Sequence, residues 1–153
     1  MADELTAQSL TVTITEALAI DHANGETNDL DFAQTYTHTY PSIANVTKRI
    51  IKLSNTNLTK IATLGTTTAD GAFVRADIKY IRITNLNSNT ALQVGLDDED
   101  SDAAYTSLAG DSSIIYTGTT CEGDNGGTTL DNATAIKVKG AANQQLELFI
   151  ASA

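Results

Sequence analysis

The densest concentration of chemistry-bearing side chains is the run Leu96-Asp-Asp-Glu-Asp-Ser-Asp102. Asp98, Asp100 and Asp102 stand at i, i+2 and i+4, the spacing of the first three ligands in a calcium loop. An EF-hand loop also needs Gly at its sixth position for a sharp turn and a bidentate Glu at its twelfth. Ala103 and Ala109 occupy those positions, and no helical pattern precedes them, so an EF-hand is excluded. Asp98, Asp100 and Asp102 remain the one candidate calcium set, on a loop of another design. The competing reading is a solvated acidic loop after a strand, with no metal held.

Other chemistries fail on a missing partner. A glycosidase pair needs one carboxyl raised by an apolar wall and aromatic platforms for sugar rings; there is no tryptophan and aromatics are 5%. A Ser/His/Asp arrangement would use His22, beside Asp21 in a turn, or His38, between threonines in a strand, and no Gly-x-Ser-x-Gly elbow exists. Cys121 is the single cysteine, so neither an internal disulfide nor a thiolate zinc site forms, and no basic neighbour lowers its pKa. Gly118-Thr-Thr-Cys-Glu-Gly-Asp-Asn-Gly-Gly-Thr-Thr129 lacks the Lys of a phosphate loop, and Glu122 and Asp124 repel phosphate. It reads as a long surface loop, an interaction element or an idle one. No catalytic residue and no cofactor is expected; the chain is read as a non-enzyme.

Net charge is −10 with a pI near 4.3, which repels nucleic-acid backbones and anionic membranes. Neither is expected as a partner. The cations cluster: Lys48, Arg49, Lys52 and Lys60 in one stretch, Arg75, Lys79 and Arg82 in another. They face an acidic partner or another subunit's acidic loop, or they decorate solvent-facing strands. The opening Met1-Ala-Asp-Glu-Leu5 carries acids where a signal peptide needs positive charge, and no apolar run is long enough to span a membrane. Synthesis in a cytoplasm is the expectation.

The elements that position these side chains are strands. Threonine is abundant, and β-branched residues pack on a pleated surface while losing rotamer freedom in a helix. Leu10, Val12 and Ile14 alternate with Thr11, Thr13 and Thr15. Tyr36-Thr-His-Thr-Tyr40 alternates until Pro41. Asn45 to Leu53 follows, its parity shift at Ile50-Ile51 indicating a bulge or a strand buried on both faces. Further strands are expected over Asn57 to Leu64, Asp77 to Thr84, Ala91 to Leu96, Ser112 to Thr117, Ala135 to Lys139 and Gln145 to Ile150. The turn at Asn85 to Asn89 predicts a hairpin between Asp77–Thr84 and Ala91–Leu96, and Gly140 to Asn143 a second one at the C-terminus. Ala103 to Ala109 is the one stretch with helical character. The reading is an all-β, single-domain antiparallel β-sandwich, jelly-roll-like, with about eight or nine strands. An N-terminal arm is expected over 1–9 and the sandwich over 10–153.

Leu5-Thr-Ala-Gln-Ser-Leu-Thr-Val-Thr-Ile-Thr-Glu16, Asn45-Val-Thr-Lys-Arg-Ile-Ile51, Asp77-Ile-Lys-Tyr-Ile-Arg-Ile-Thr-Asn85 and Asp98-Glu-Asp-Ser-Asp102 together resemble small β-structured virion proteins of tailed bacteriophages. The resemblance implies a homo-oligomeric structural protein of the virion, first a capsid decoration (cement) protein on the major capsid protein shell. A tail or head–tail junction component comes second. A carbohydrate-binding or adhesive module, with Tyr36, Tyr40, Tyr80, Tyr105 and Tyr116 as a stacking face, is the reading from another class.

Overall fold

The computed structural model describes residues 8–18, 32–67, 71–97, 105–117 and 132–153. They hold eleven strands and no α-helix. The chain divides into two compact units, 1–42 and 43–153; most of the expected arm, 1–7, lies outside the described residues.

The first unit is a two-stranded ribbon of β1 (Gln8–Leu18) and β2 (Phe32–Ile43), whose last residue, Ile43, falls in the second unit. Alternation puts the threonines of both strands on one face. There the hydroxyls of Thr11 and Thr39, Thr13 and Thr37, and Thr15 and Thr35 meet at 3.2, 3.4 and 3.3 Å. The three pairs step by two residues in opposite directions, as an antiparallel register requires. Leu10, Val12 and Ile14 therefore share the other face with Tyr36, His38 and Tyr40. β2 runs through Pro41 instead of stopping there. A two-stranded ribbon leaves each strand an open edge, where a missing N–H costs no ladder bond.

The second unit is a two-layer sandwich. β3 (Asn45–Lys52), β11 (Gln145–Ser152), β6 (Ile78–Asn85) and β9 (Ser113–Thr117) form a four-stranded sheet in that order. β5 (Phe73–Val74), β4 (Thr59–Gly65), β10 (Ala135–Lys139), β7 (Leu92–Asp97) and β8 (Tyr105–Leu108) form the five-stranded one. With the short parallel strand β5 set aside, the remaining strands nest. β3 pairs with β11, β4 with β10, β6 with β9 and β7 with β8. First with last, second with next to last and so inward is the pairing of a jelly roll, a long hairpin rolled over itself.

The core lies between the inward rows. Ile81 and Ile83 of β6 and Leu146, Leu148 and Ile150 of β11 meet Leu92, Val94 and Leu96 of β7 and Ile136 and Val138 of β10. All are nearly or completely buried, each contributing about 1.5–3 kcal/mol of transfer free energy. At the margin, Arg49 of β3 sends its guanidinium to the Ile61 carbonyl of β4, tying the two sheets.

One end of the roll is closed by two buried amides. Asn85 Nδ2 donates to the carbonyls of Thr90 (2.7 Å), Leu108 (3.3 Å) and Ala109 (3.1 Å). Its Oδ1 accepts from Gln144 Nε2 (3.1 Å) and from the Asn87 N–H (3.2 Å). Gln144 in turn donates to the Thr90 carbonyl (2.9 Å) and accepts the Ala141 N–H (2.8 Å). Three connections that pass from one sheet to the other thus share one satisfied polar cluster in a low-dielectric setting. Gly140 sits against it, where an added Cβ would strike Gln144 Oε1 and the Leu92 and Leu53 methyls.

Several expectations need correction. Neither expected hairpin forms: β6 and β7 belong to different sheets, as do β10 and β11. Their connections arch across the sandwich and preserve the in–out alternation that a hairpin would also preserve. The parity shift at Ile50-Ile51 is neither a bulge nor double burial, because β3 pairs with β11 without interruption and Ile50 simply points outward. Irregularities lie instead in β4, where the register to β10 slips beside Ile136 and lets Ile61 and Ala62 both be buried, and in β6, where the register to β11 slips between Tyr80 and Ile78. Within the expected helical stretch, Tyr105–Leu108 is a strand paired with β7. Strand pairing overrode a weak local preference.

Candidate functional site

The outer face of the four-stranded sheet carries exposed apolar side chains beside charged ones, with Ala151 and Tyr80 buried at one end of it. Along β3, alternation sends Thr47, Arg49 and Ile51 inward, opposite Ile150, Leu148 and Leu146, and Val46, Lys48, Ile50 and Lys52 outward. Across the outer face, the register aligns Lys48, Phe149, Arg82 and Ile115 in one row, and Ile50, Glu147, Thr84 and Ser113 in the next. Ile50 is 65% exposed, Val46 57% and Ile115 36%. Large apolar side chains at that exposure on one sheet face mark a surface suited to contact.

The charges on this face are ordered. Glu147 lies between Arg82 Nη2 at 2.6 Å and Lys48 Nζ at 3.2 Å. Desolvation pushes its carboxyl up, but the hydrogen bonds from Arg82 and Lys48 and their charges outweigh that, leaving it below the ordinary glutamate value. Arg82 also lies over the Phe149 ring, 5.7 Å from its centroid, and Phe149 packs edge-on to Tyr80 at 5.8 Å. With Lys52, the face carries an excess of positive charge on an acidic protein.

The ribbon presents the other exposed apolar row. Ile14 is 45% exposed and Tyr36 50%, with Leu10 and Val12 half-buried. His38 is exposed on the same face, its ring 4.4 Å from that of Tyr40 in a T-shaped contact. Glu16 ends the row.

On the five-stranded sheet, Leu58, Lys60, Thr63, Asp97, Thr134 and Lys137 line an open depression of about 650 Å³. Its one carboxylate, Asp97, is 2.5 Å from Lys137 Nζ. That pairing leaves the depression without a free base or a ligand set.

The acidic run joins β7 to β8, and the candidate calcium residues Asp98, Asp100 and Asp102 lie outside the described residues, as do His22, Cys121 and the Gly-rich stretch. Among the described residues no three His, Cys, Asp or Glu side chains gather closely enough to hold a metal, and no helix is long and apolar enough to cross a membrane. The basic stretches do not form one patch. Lys48, Lys52 and Arg82 share the outer face, Arg49 crosses to β4, and Arg75 donates to the Ala133 carbonyl at 3.1 Å. The five tyrosines form no common stacking face, since Tyr80 is buried and Tyr116 packs against the core. Sequence reasoning missed the Val46, Ile50, Phe149 and Ile115 surface. Its one signal was two adjacent isoleucines in an alternating strand, one of which has to face outward.

No family model, no curated protein and no solved structure matches the chain.

Proposed function

We propose that this chain is a non-enzymatic structural protein that works by attaching to a larger assembly. Specifically, it acts as a capsid decoration protein that binds and stabilises the major capsid protein shell of a tailed bacteriophage. The observation that carries the binding reading is a set of exposed apolar side chains on one outer sheet face, Val46 and Ile50 on β3 and Ile115 on β9, with Lys48 and Arg82 among them, on a sheet whose inner face lines the core. A rigid scaffold holding apolar side chains in water stabilises nothing by doing so; their burial is available to a partner. The virion setting comes from the resemblance of the strand and turn motifs. The jelly roll agrees with it by analogy alone, since this architecture serves viral capsid, lectin and cupin domains alike.

The test is addition of purified protein to undecorated shells. Co-sedimentation with the shells and a raised temperature of shell disruption are expected. Failure to bind, with tubes or rings forming from the protein alone, would move the assignment to the tail or head–tail junction. The carbohydrate-binding reading rests on the Tyr36, His38 and Tyr40 face, with Tyr105 exposed apart from it on another strand. Binding on a glycan array that is lost in Tyr36→Ala would favour it over the shell.

A further inference from the structure

We infer that the open edge of β3 takes an extended acidic segment of a partner protein as an added strand, its carboxylates held in the cleft between β3 and β4. The inference rests on the assembly reading above and names the chemistry of the partner. Four strands end the two sheets of the roll, β3 and β9 in one, β5 and β8 in the other. β3 is the longest, eight residues against five in β9, four in β8 and two in β5, and alone among them carries charge. Among the described residues it pairs only with β11, so its other edge has no strand beside it. An open edge of that length is a template for another chain.

The cleft lies along this edge. β5 covers β4 only at Leu64 and Gly65, so over 59–63 β4 is the margin of its own sheet. Thr47 and Arg49 of β3, Lys60 and Thr63 of β4, and Gly71 and Phe73 line a cavity of about 350 Å³. Arg49 donates to the Ile61 carbonyl through one guanidinium nitrogen and keeps its other donors. Arg49 and Lys60 are both exposed; among the described residues neither is ion-paired, and no acid lines the cavity. Charge decides the occupant. Pairing with β3 of a second copy would crowd Lys48, Arg49 and Lys52 against the same three cations, whereas an acidic strand meets its complement. Alternation sorts that strand's side chains. Those facing the cleft are Asp or Glu, beside Arg49 and Lys60; those facing outward are apolar, beside Val46 and Ile50, which are 57% and 65% exposed. Backbone pairing supplies the affinity and the acid–apolar alternation the selectivity.

The test is an NMR titration of the full, isotope-labelled chain with a synthetic peptide of about eight residues alternating Val and Asp. Saturable shifts are expected at the backbone amides of residues 45–52, and a peptide alternating Val and Lys should produce none. Methylating alternate backbone amides of the acidic peptide should abolish binding for the set that faces β3 and spare it for the other set. Arg49→Gln combined with Lys60→Gln should weaken binding about tenfold. Should that protein misfold, Lys60→Gln alone, on an exposed side chain, should still weaken it measurably. No shifts at millimolar peptide, equal binding of the lysine peptide, equal effects of the two methylations, or undiminished binding by the variants would each overturn the inference. Shell binding that survives both substitutions would sink this site while leaving the proposed function standing. Peptide binding by a protein that ignores shells would do the reverse.

Discussion

β1 and β6 are built on the same plan, apolar and polar residues in alternation, yet they end in opposite circumstances. In β6, Ile81 and Ile83 are sealed beneath the facing sheet, while in β1, Ile14 stands nearly half in water. What separates them is the number of strands that cover each face: the roll stacks a five-stranded sheet on a four-stranded one, and the ribbon has only its own two strands. Alternation specifies a two-faced strand, and the rest of the chain decides whether the apolar face becomes core or contact surface.

That contrast can be broken by truncation. Leu148→Ala or Ile81→Ala should cost about 2–5 kcal/mol in equilibrium unfolding, because each opens a cavity in a packed interior. Ile14→Ala should cost less than about 0.5 kcal/mol. A large loss at Ile14 would show that the ribbon contributes to the fold's stability and is not a free surface.

The buried amides sharpen the comparison from the polar side. Asn85→Leu strips a donor from the Thr90, Leu108 and Ala109 carbonyls and an acceptor from Gln144. A loss of about 2–3 kcal/mol is expected by denaturant titration. Adding Gln144→Leu should cost less than its single effect, since the two side chains share partners.

A smaller effect is expected on the outer face. Glu147→Gln should destabilise by about 1 kcal/mol at neutral pH, discounted because Lys48 and part of Arg82 are solvated. The folded-state carboxyl is held below its ordinary value, so its contribution is present above the usual glutamate range and fades as pH falls through the lowered value. The gap between wild type and Glu147→Gln, measured by melting across pH, should therefore close in acid. A gap that persists at low pH would deny the ion pairs their role. Least of all, Thr13→Ala should cost roughly 0.2–0.5 kcal/mol, the worth of one exposed cross-strand hydroxyl pair.

The all-β sandwich and most strand positions were legible in the sequence, because Leu10-Val12-Ile14 and Leu92-Val94-Leu96 leave only period-two readings. Partners were not. The connection from β6 to β7 runs through Asn85 and Asn89, residues equally at home in a hairpin and in an arch between sheets, and only the buried contacts of Asn85 distinguish the two. Tyr105–Leu108 is too short for periodicity to separate strand from helix. The docking surface was hidden for a different reason. Its rows run across four strands, and Lys48, Phe149, Arg82 and Ile115 become neighbours only once the roll is closed.

The most direct test of the claim that this outer face serves contact and not folding is to measure unfolding and shell binding on the same Ile50→Glu protein. The account predicts an unfolding midpoint within error of wild type, together with lost shell binding. A lowered midpoint with shell binding intact would contradict it.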